Sequence, residues 1–431
     1  MDLSKLRKKS FAVYGLGLTG ISVINHFKKN NIKDFCVWDD DKIKRFKFQK
    51  YLNNGNFSKK LDKVDYIVIS PGVNLKKTKF SSKLQKNKNK IITDLDLFYQ
   101  QNIKGKTIVI TGTNGKSTTC KIIEHILKKN KRNVQVGGNI GKPILDLNIK
   151  KKSFYIIEAS SFQLSNSKNI KPNYALILNI SKDHLDWHGN FNNYRNSKMK
   201  IFSMQDKFDY ALLNDKNLIK IFKKNKFSSK LKIIKSLKYE KLSNKIKNSH
   251  LSLKSNKENM IFIFELIKIL KIKQKYFLKV IESFKGLNHR HEIFLKKKNI
   301  SFINDSKATS FEACKFALSS NKNIMWIVGG QPKLKDKFKL NGLSKNIIKT
   351  FIIGKNFKFF KNQLDGKVNF EISKTLKKAL ISIFKTIAKT PDKEISVLLS
   401  PGSASFDQFK NFEERGNSFK KLVKSYGKKY L

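Results

Sequence analysis

The sequence predicts an α/β protein of three α/β units in series. Three observations carry this. Near the N-terminus a short apolar strand runs into a glycine-rich turn and then an apolar helix. Near residue 108 the same order recurs, with a different glycine pattern. From residue 300 onward, short β-branched runs each end in polar or glycine-rich loops. A chain of 431 residues exceeds one ordinary domain, and 39% hydrophobic residues suffice to build cores.

The first unit begins Phe11-Ala12-Val13-Tyr14-Gly15-Leu16-Gly17-Leu18-Thr19-Gly20, a strand feeding G-x-G-x-x-G and a helix over residues 21–27. A second strand, 35–38, ends at Asp39, and a third, 66–69, ends in Ser70-Pro71-Gly72. An acid about 20 residues beyond the glycines makes a Rossmann-like start. Taken alone, the motif fits a dinucleotide, another nucleotide or a tight turn.

The pattern restarts around residues 93–101. Ile108 to Thr118 reads I-V-I-T-G-T-N-G-K-S-T, which is buried strand, phosphate-cradling loop and helix N-terminus. A polyphosphate needs many donors at close range. Gly112 and Gly115 let backbone N–H groups approach, Lys116 brings a mobile charge to the β/γ-phosphates, and Ser117 offers a hydroxyl to Mg²⁺. Only Thr113 and Asn114 separate Gly112 from Gly115, so this is not the usual Walker loop. The helix that follows spans residues 118–129, with Ile122, Ile123, Ile126 and Leu127 at helical spacing. Further strands are expected at 134–136, 154–157 and 174–180. Residues 214–259 are rich in lysine and asparagine and show the weakest periodicity; they read as low complexity with some surface disorder. A helix is expected over 259–270.

The third unit begins near Leu287. Its expected strands are 300–303, 324–328, 350–353 and 395–399. They end in Asn304-Asp305-Ser306-Lys307, Gly329-Gly330-Gln331, Gly354-Lys355 and Ser400-Pro401-Gly402-Ser403. Ligands of open α/β sheets bind at such carboxyl ends. The domain boundaries are expected at 1–94, 95–286 and 287–431.

Several residues outside the loop carry chemistry. Glu158 ends an apolar strand, where a carboxylate holds Mg²⁺ or caps a helix. His184 stands between Asp183 and Asp186 after a strand and reads equally as a metal or substrate ligand and as a structural histidine. Tyr194-Arg195-Asn196-Ser197-Lys198 reads by itself as basic helix surface. Arg290 is one of only six arginines, at 7, 45, 132, 195, 290 and 415, and so few retained arginines point to a need for the guanidinium fork. Asp305 offers a carboxylate suited to ribose hydroxyls. Residues 400–416 read as a long polar loop, although Phe406, Phe409 and Phe412 are spaced as a helix face packing into a core would be.

The formal charge of +59 argues, taken alone, for nucleic acid. Nearly all of it is lysine spread along the chain with asparagine and isoleucine, which reads as compositional drift. No nucleic-acid partner is expected, though such a surface attracts anionic substrates. No apolar run approaches the roughly 18 residues of a membrane span, and Met1 to Ser10 is charged with no apolar core after it. No membrane insertion and a cytoplasmic location are expected. Cys36, Cys120 and Cys314 fit neither a disulfide framework nor a metal-ligand spacing.

These segments, in this order, resemble the Mur ligases, the ATP-dependent amide-forming enzymes of cell-wall precursor synthesis, over residues 11–427. The most specific motifs are T-G-T-N-G-K-S-T, G-G-N-I-G at 137–141, E-A-S-S-F-Q-L, N-D-S-K-A-T and S-P-G-S-A-S-F-D-Q-F-K-N-F-E-E-R-G. The last points to the D-glutamate-adding branch. The resemblance implies a Rossmann-like N-terminal domain, a P-loop-type central ATPase and a Rossmann-like C-terminal domain. It implies a monomer that joins D-glutamate to UDP-N-acetylmuramoyl-L-alanine through an acyl phosphate, using ATP and Mg²⁺. It assigns Leu18, Thr19, Asp39, Gly72, Asn139 and His184 to the UDP substrate. Gly112, Thr113, Asn114, Gly115, Lys116, Ser117, Thr118, Asn259, Arg290 and Asp305 go to ATP. Lys307, Thr309, Lys333, Ser405 and Phe412 go to D-glutamate. Ser117, Glu158, His184 and Lys198, the last as a carbamate, go to the metal. Lys116, His184, Lys198 and Arg290 are the implied catalytic set.

The chain departs from the family pattern in three places. Leu253-Lys254-Ser255-Asn256 replaces a Gly-x-His-Asn segment, Asp41 stands where a positive or polar uridine contact is expected, and His291 replaces an aromatic or apolar residue. Three other readings remain open on the residues: a ligase adding a different amino acid, a nucleic-acid-associated NTPase, and a nicotinamide dehydrogenase.

Overall fold

Buried runs such as Phe11-Ala12-Val13-Tyr14 and Ile324 to Gly329 are apolar on both faces, which is the pattern of parallel strands covered by helices on each side. A computed structural model describes residues 3–52, 56–101, 103–235, 237–248, 251, 254–333, 336–389 and 393–430. Contacts divide the chain into two units, Met1–Phe284 and Lys285–Leu431.

The first unit holds two sheets. One is formed by β1 (Phe11–Tyr14), β2 (Phe35–Trp38), β3 (Tyr66–Ile69) and β4 (Ile91–Ile92), in the order β2-β1-β3-β4, all parallel. The other is formed by β5 (Lys106–Thr111), β6 (Asn133–Gly138), β7 (Ser153–Glu158), β8 (Tyr174–Ile177), β9 (Tyr210–Leu213) and β10 (Lys230–Ile233). Its order is β10-β9-β8-β5-β7-β6, again parallel.

A buried hydrogen-bonded join connects these sheets through the helix Asp94–Gln100. Gln163 donates to both carboxylate oxygens of Asp94 at 3.3 Å, and Asp96 accepts from the backbone N–H groups of Lys168 and Asn169 at 2.7 and 2.6 Å. One apolar cluster runs through the join, from Val13 and Phe27 to Leu97, Phe98 and Tyr155.

The second unit holds β11 (Glu292–Lys297), β12 (Ile300–Asn304), β13 (Ile324–Gly329), β14 (Ile347–Ile353), β15 (Phe370–Lys374) and β16 (Ile395–Leu399). The order is β11-β12-β16-β13-β14-β15, with β11 antiparallel to β12 and the remaining pairs parallel.

Three expectations are corrected. Residues 214–259 are not featureless: Asp215 caps the helix Lys216–Lys224, which buries Leu218 and Phe222, and the helix Leu237–Ser243 buries Tyr239 and Leu242. Lysines on the outer faces had masked these sparse apolar anchors. The strand expected over 174–180 ends at Ile177, because the following residues turn toward the phosphate loop. The stretch 400–416 is a loop only up to residue 411, since Phe412 opens the helix Phe412–Tyr430. Phe409 packs against the core there while Phe406 stays 69% exposed. β9 and the edge strands β10, β11 and β15 were not read from the sequence; in the three edge strands lysine, glutamate or serine interrupts the apolar pattern, and β9 is a run of only four residues.

Candidate active site at the carboxyl ends of the strands

The loop after β5 closes on itself. Gly115 has φ +84°, and a Cβ built there would lie 2.0 Å from the side-chain oxygen of Asn259, so the position requires glycine. Its successor Lys116 opens the helix Lys116–Lys129, and Lys116 Nζ donates to the carbonyls of Gly112 and Thr113 at 2.8 and 2.9 Å. Ser117 and Thr118 are buried in the first turn, whose N–H groups point toward the loop.

The sheet order sets β8 and β7 on either side of β5. From the β8 side, the carbonyl and the side-chain oxygen of Asn179 accept from the N–H groups of Thr113 and Asn114, both at 2.9 Å. Glu258 accepts from Asn179 at 2.7 Å. From the β7 side comes Glu158, which is 2% exposed. The helix after it is capped by Ser160, so Glu158 is not a helix cap. Its Oε1 accepts from Asn139 at 3.0 Å, and its Oε2 is buried with no hydrogen-bond partner among the described residues.

Lys198 lies on the helix Phe191–Met199 and is 1% exposed, so the reading as basic surface is wrong. Its Nζ donates to the Gly112 carbonyl at 2.9 Å, the oxygen that Lys116 also engages, and stands 4.7 Å over the Tyr194 ring. Burial, reinforced by the charge of Lys116, lowers its pKa to about 7. Tyr194 OH bonds Thr113 Oγ1 at 3.0 Å. His184, at φ +52°, sits in the same cluster with its ring 4.7 Å from Phe162 and 6.4 Å from Tyr194. Among the described residues no three His, Cys, Asp or Glu side chains gather as a metal cluster. Asn259 Nδ2 lies 3.4 Å from Asn256 Oδ1 in the helix Lys254–Ile269; Leu253, the start of the departing segment, lies outside the described residues.

At the ends of β1, β2 and β3 a cavity of about 550 Å³ brings together Leu18, Thr19, Asp39, Gly72 and Asn139, with Lys44 and Lys77 in its wall. His184 is not part of it. Gly15, at φ +99°, leaves no room for a Cβ against Ser70, and this lets the first loop close. Asp39 shapes that loop: its two oxygens accept from the N–H groups of Leu16 and Asp41 at 2.7 and 2.9 Å. Asp41 in turn caps the helix Lys42–Phe46 through the Ile43 N–H, which accounts for an acid at this position. A larger cavity of about 1020 Å³ opens at the opposite, amino-terminal ends of the central strands, between Gln100 and Asn173, and contains none of the expected site residues.

In the second unit the order β12-β16-β13 sets three strand-end loops side by side. Asp305 is 5% exposed and accepts from Ser400 Oγ at 2.7 Å and from the His291 N–H at 3.0 Å. Burial raises its pKa to about 7, against the opposing influence of these bonds and of Arg290. His291 bonds Asn321 at 2.9 Å and packs its ring 5.1 Å from Phe316. Lys307 Nζ lies 5.3 Å from the Phe412 ring centre. Gln331 and Ala404 exchange backbone bonds at 2.8 and 3.0 Å, which sets the loop carrying exposed Lys333 beside buried Ser405. Thr309 is half-buried on the turn after Lys307.

Sequence reasoning gave no role to Asn179, Tyr194, Glu258 or Arg415. The rarity of arginine was the available signal for Arg415; the other three carry none outside their three-dimensional neighbours.

Residues 9–92 match the family profile described as Mur ligase MurD-like, N-terminal domain, and residues 110–288 match the Mur ligase middle domain. A UDP-N-acetylmuramoylalanine--D-glutamate ligase of Wolbachia sp. subsp. Brugia malayi is 36% identical, with 97% of each chain covered. One of Rickettsia prowazekii is 35% identical, covering 98% of this chain and all of its own. Among solved structures, the MurF ligase of Thermotoga maritima in complex with ADP aligns with TM-score 0.57 at 15% identity over 99% of both chains. The UDP-N-acetylmuramate-alanine ligase of the same organism aligns with TM-score 0.56 at 16% identity, over 97% of this chain and 99% of its own. At such identities these two likenesses speak for the fold.

Proposed function

We propose a reading from one premise: the chain belongs to the Mur ligase family, and within it to the branch that adds D-glutamate. It is an ATP-dependent ligase that joins D-glutamate to UDP-N-acetylmuramoyl-L-alanine in peptidoglycan precursor synthesis. The observation that carries the chemistry is the convergence of the short phosphate loop, the half-unpartnered Glu158 and the buried low-pKa Lys198 at adjoining strand ends.

A carboxylate is a poor electrophile, so the alanyl carboxylate must first take the γ-phosphoryl group of ATP. Two anions then meet, and their repulsion must be offset. Lys116 is held over the loop by two carbonyls and can swing from them to the phosphates. The loop N–H groups and the helix Lys116–Lys129 supply further positive potential. The D-glutamate amine then attacks the acyl phosphate, the tetrahedral intermediate collapses, and phosphate leaves.

Mg²⁺ fits the donors present. It takes one or two carboxylates and keeps waters and phosphate oxygens as its other ligands. The unpartnered Glu158 Oε2 is such a carboxylate oxygen; Ser117, His184 and Lys198 as a carbamate complete the proposed set. When bound, the ion neutralises charge on the transferring phosphoryl group. Lys198 suits carbamate formation because an amine adds to CO₂ only when neutral, and a pKa of about 7 leaves about half of it neutral at pH 7. His184, which does not line the cavity at the ends of β1, β2 and β3, serves the UDP substrate from the metal side in this reading.

We assign the cavity at residues 14–19, 39–44, 70–78 and 139 to UDP, with Lys44 and Lys77 facing the diphosphate. Asp305 acts for ATP by fixing the His291 turn next to Arg290, since both its oxygens are already engaged. Lys307, Thr309, Lys333, Ser405 and Phe412 line the D-glutamate side. The assigned domains are 1–94 for UDP, 95–286 for ATP and 287–431 for the amino acid, in a cytoplasmic monomer. No helix among the described residues is long and apolar enough to cross a membrane.

The test is ADP release with UDP-N-acetylmuramoyl-L-alanine and a panel of amino acids. Release that requires D-glutamate supports the reading. Release without it, with another amino acid, or with nucleic acid alone, refutes it.

A further inference from the structure

Arg415 is 1% exposed on the first turns of the helix Phe412–Tyr430; the Asp407 carboxylate acts on it through its charge, and no ion pair within 4.0 Å joins it to a carboxylate among the described residues. A buried cation must be compensated by charge and by hydrogen bonds, and for Arg415 the direct contacts are all hydrogen bonds to uncharged groups. Its guanidinium reaches the three neighbouring strand-end loops that follow β12, β16 and β13. Nε donates to Ser306 Oγ at 3.0 Å, Nη2 to the carbonyls of Ser306 and Ser403 at 2.8 and 3.0 Å, and Nη1 points at the Gly329 carbonyl at 3.5 Å. Ser306 Oγ passes the tie onward by donating to the Phe412 carbonyl at 2.8 Å.

These loops carry the residues assigned above to D-glutamate. Ser306 precedes Lys307, Ser403 is two residues from Ser405, and Gly329 leads into the segment bearing Lys333. We propose that Arg415 is the positioning residue of the amino-acid site, a planar fork that holds the Lys307, Ser405 and Lys333 loops in one register without touching substrate. The inference rests on the D-glutamate reading of this site. A lysine would keep the charge but offers no fork for three divergent carbonyls. In a chain with 91 lysines and arginines together, of which six are arginine, the retention of this one fits that requirement.

The experiment measures KM for all three substrates in the wild type, Arg415→Lys, Arg415→Met and Ser306→Ala. The fork account predicts that Arg415→Lys and Arg415→Met both raise the D-glutamate KM about tenfold or more, with the ATP and UDP-substrate KM values within twofold of wild type. Ser306→Ala, which leaves Arg415 in place, is expected to raise the D-glutamate KM about threefold. Rescue by lysine to the wild-type KM overturns the inference, as does an equal rise in all three KM values. If the Arg415 variants do not fold, Ser306→Ala decides, and an unchanged D-glutamate KM refutes the fork. A wild type without D-glutamate-dependent turnover would instead refute the function assigned to the site.

Discussion

Lys198 shows what a single residue gains from its surroundings. Its folded pKa of about 7 lies below the ordinary lysine value of 10.5, so between these values the native state binds fewer protons than the unfolded chain. Stability therefore rises with pH across that window, and the penalty is fully present below pH 7. In bicarbonate-free buffer, Lys198→Met is expected to be more stable than wild type at pH 7, with the gap closing toward pH 10. Denaturant midpoints at both pH values check this, and a pH-independent gap contradicts it. Activity should move the other way: Lys198→Ala is expected to lose turnover by 100-fold or more, and excess bicarbonate should not restore it. Gly115→Ala faces both a left-handed backbone and the Asn259 oxygen, and is expected to raise the ATP KM at least tenfold, as initial rates would show. The sequence made Gly115 and Lys116 legible because their spacing is local. Lys198 was legible only through family resemblance, since nothing in Tyr-Arg-Asn-Ser-Lys signals that the helix is buried against a loop more than 80 residues earlier.

Elements were legible where their apolar runs are continuous. β5, β7, β13 and β16 declare themselves by β-branched runs, whereas β10 and β15 alternate with lysine, glutamate and serine and have too few apolar residues to stand out. The join between the first two sheets was hidden for a different reason. Asp94 and Asp96 look like surface acids in sequence, yet they are 2% and 0% exposed. Burial raises the Asp94 pKa to about 6 from 3.8, so its stabilising protonated form is lost as pH rises through 6. Asp94→Asn keeps an acceptor for Gln163 and removes the buried charge. It is expected to stabilise the protein by ~2–3 kcal/mol at pH 7.5 and by about half that at pH 5. Thermal or denaturant unfolding at the two pH values checks it; destabilisation at pH 7.5 would show that the charge is needed by the join.

At the scale of the whole molecule, +59 net charge meets three anionic substrates. The charge is spread along the chain, so it acts through the field rather than at one contact. Raising NaCl from about 20 to about 200 mM is expected to lower kcat/KM for the nucleotide substrates several-fold while kcat changes less. Stopped-time assays across that range measure it, and a salt-independent kcat/KM would show that the charge has no part in capture. Composition by itself pointed to a polyanion and said nothing of where the chemistry sits. What located the chemistry was the sheet order, which gathers loops far apart in sequence at the carboxyl ends of each sheet, and no local motif reports that order.

The central claim is that the phosphate loop activates a carboxylate by phosphoryl transfer. The most direct measurement uses UDP-N-acetylmuramoyl-L-alanine labelled with ¹⁸O in its alanyl carboxylate, with unlabelled ATP and D-glutamate. One labelled oxygen per turnover should appear in inorganic phosphate, alongside ADP. Unlabelled phosphate, or label carried into AMP, would contradict the account.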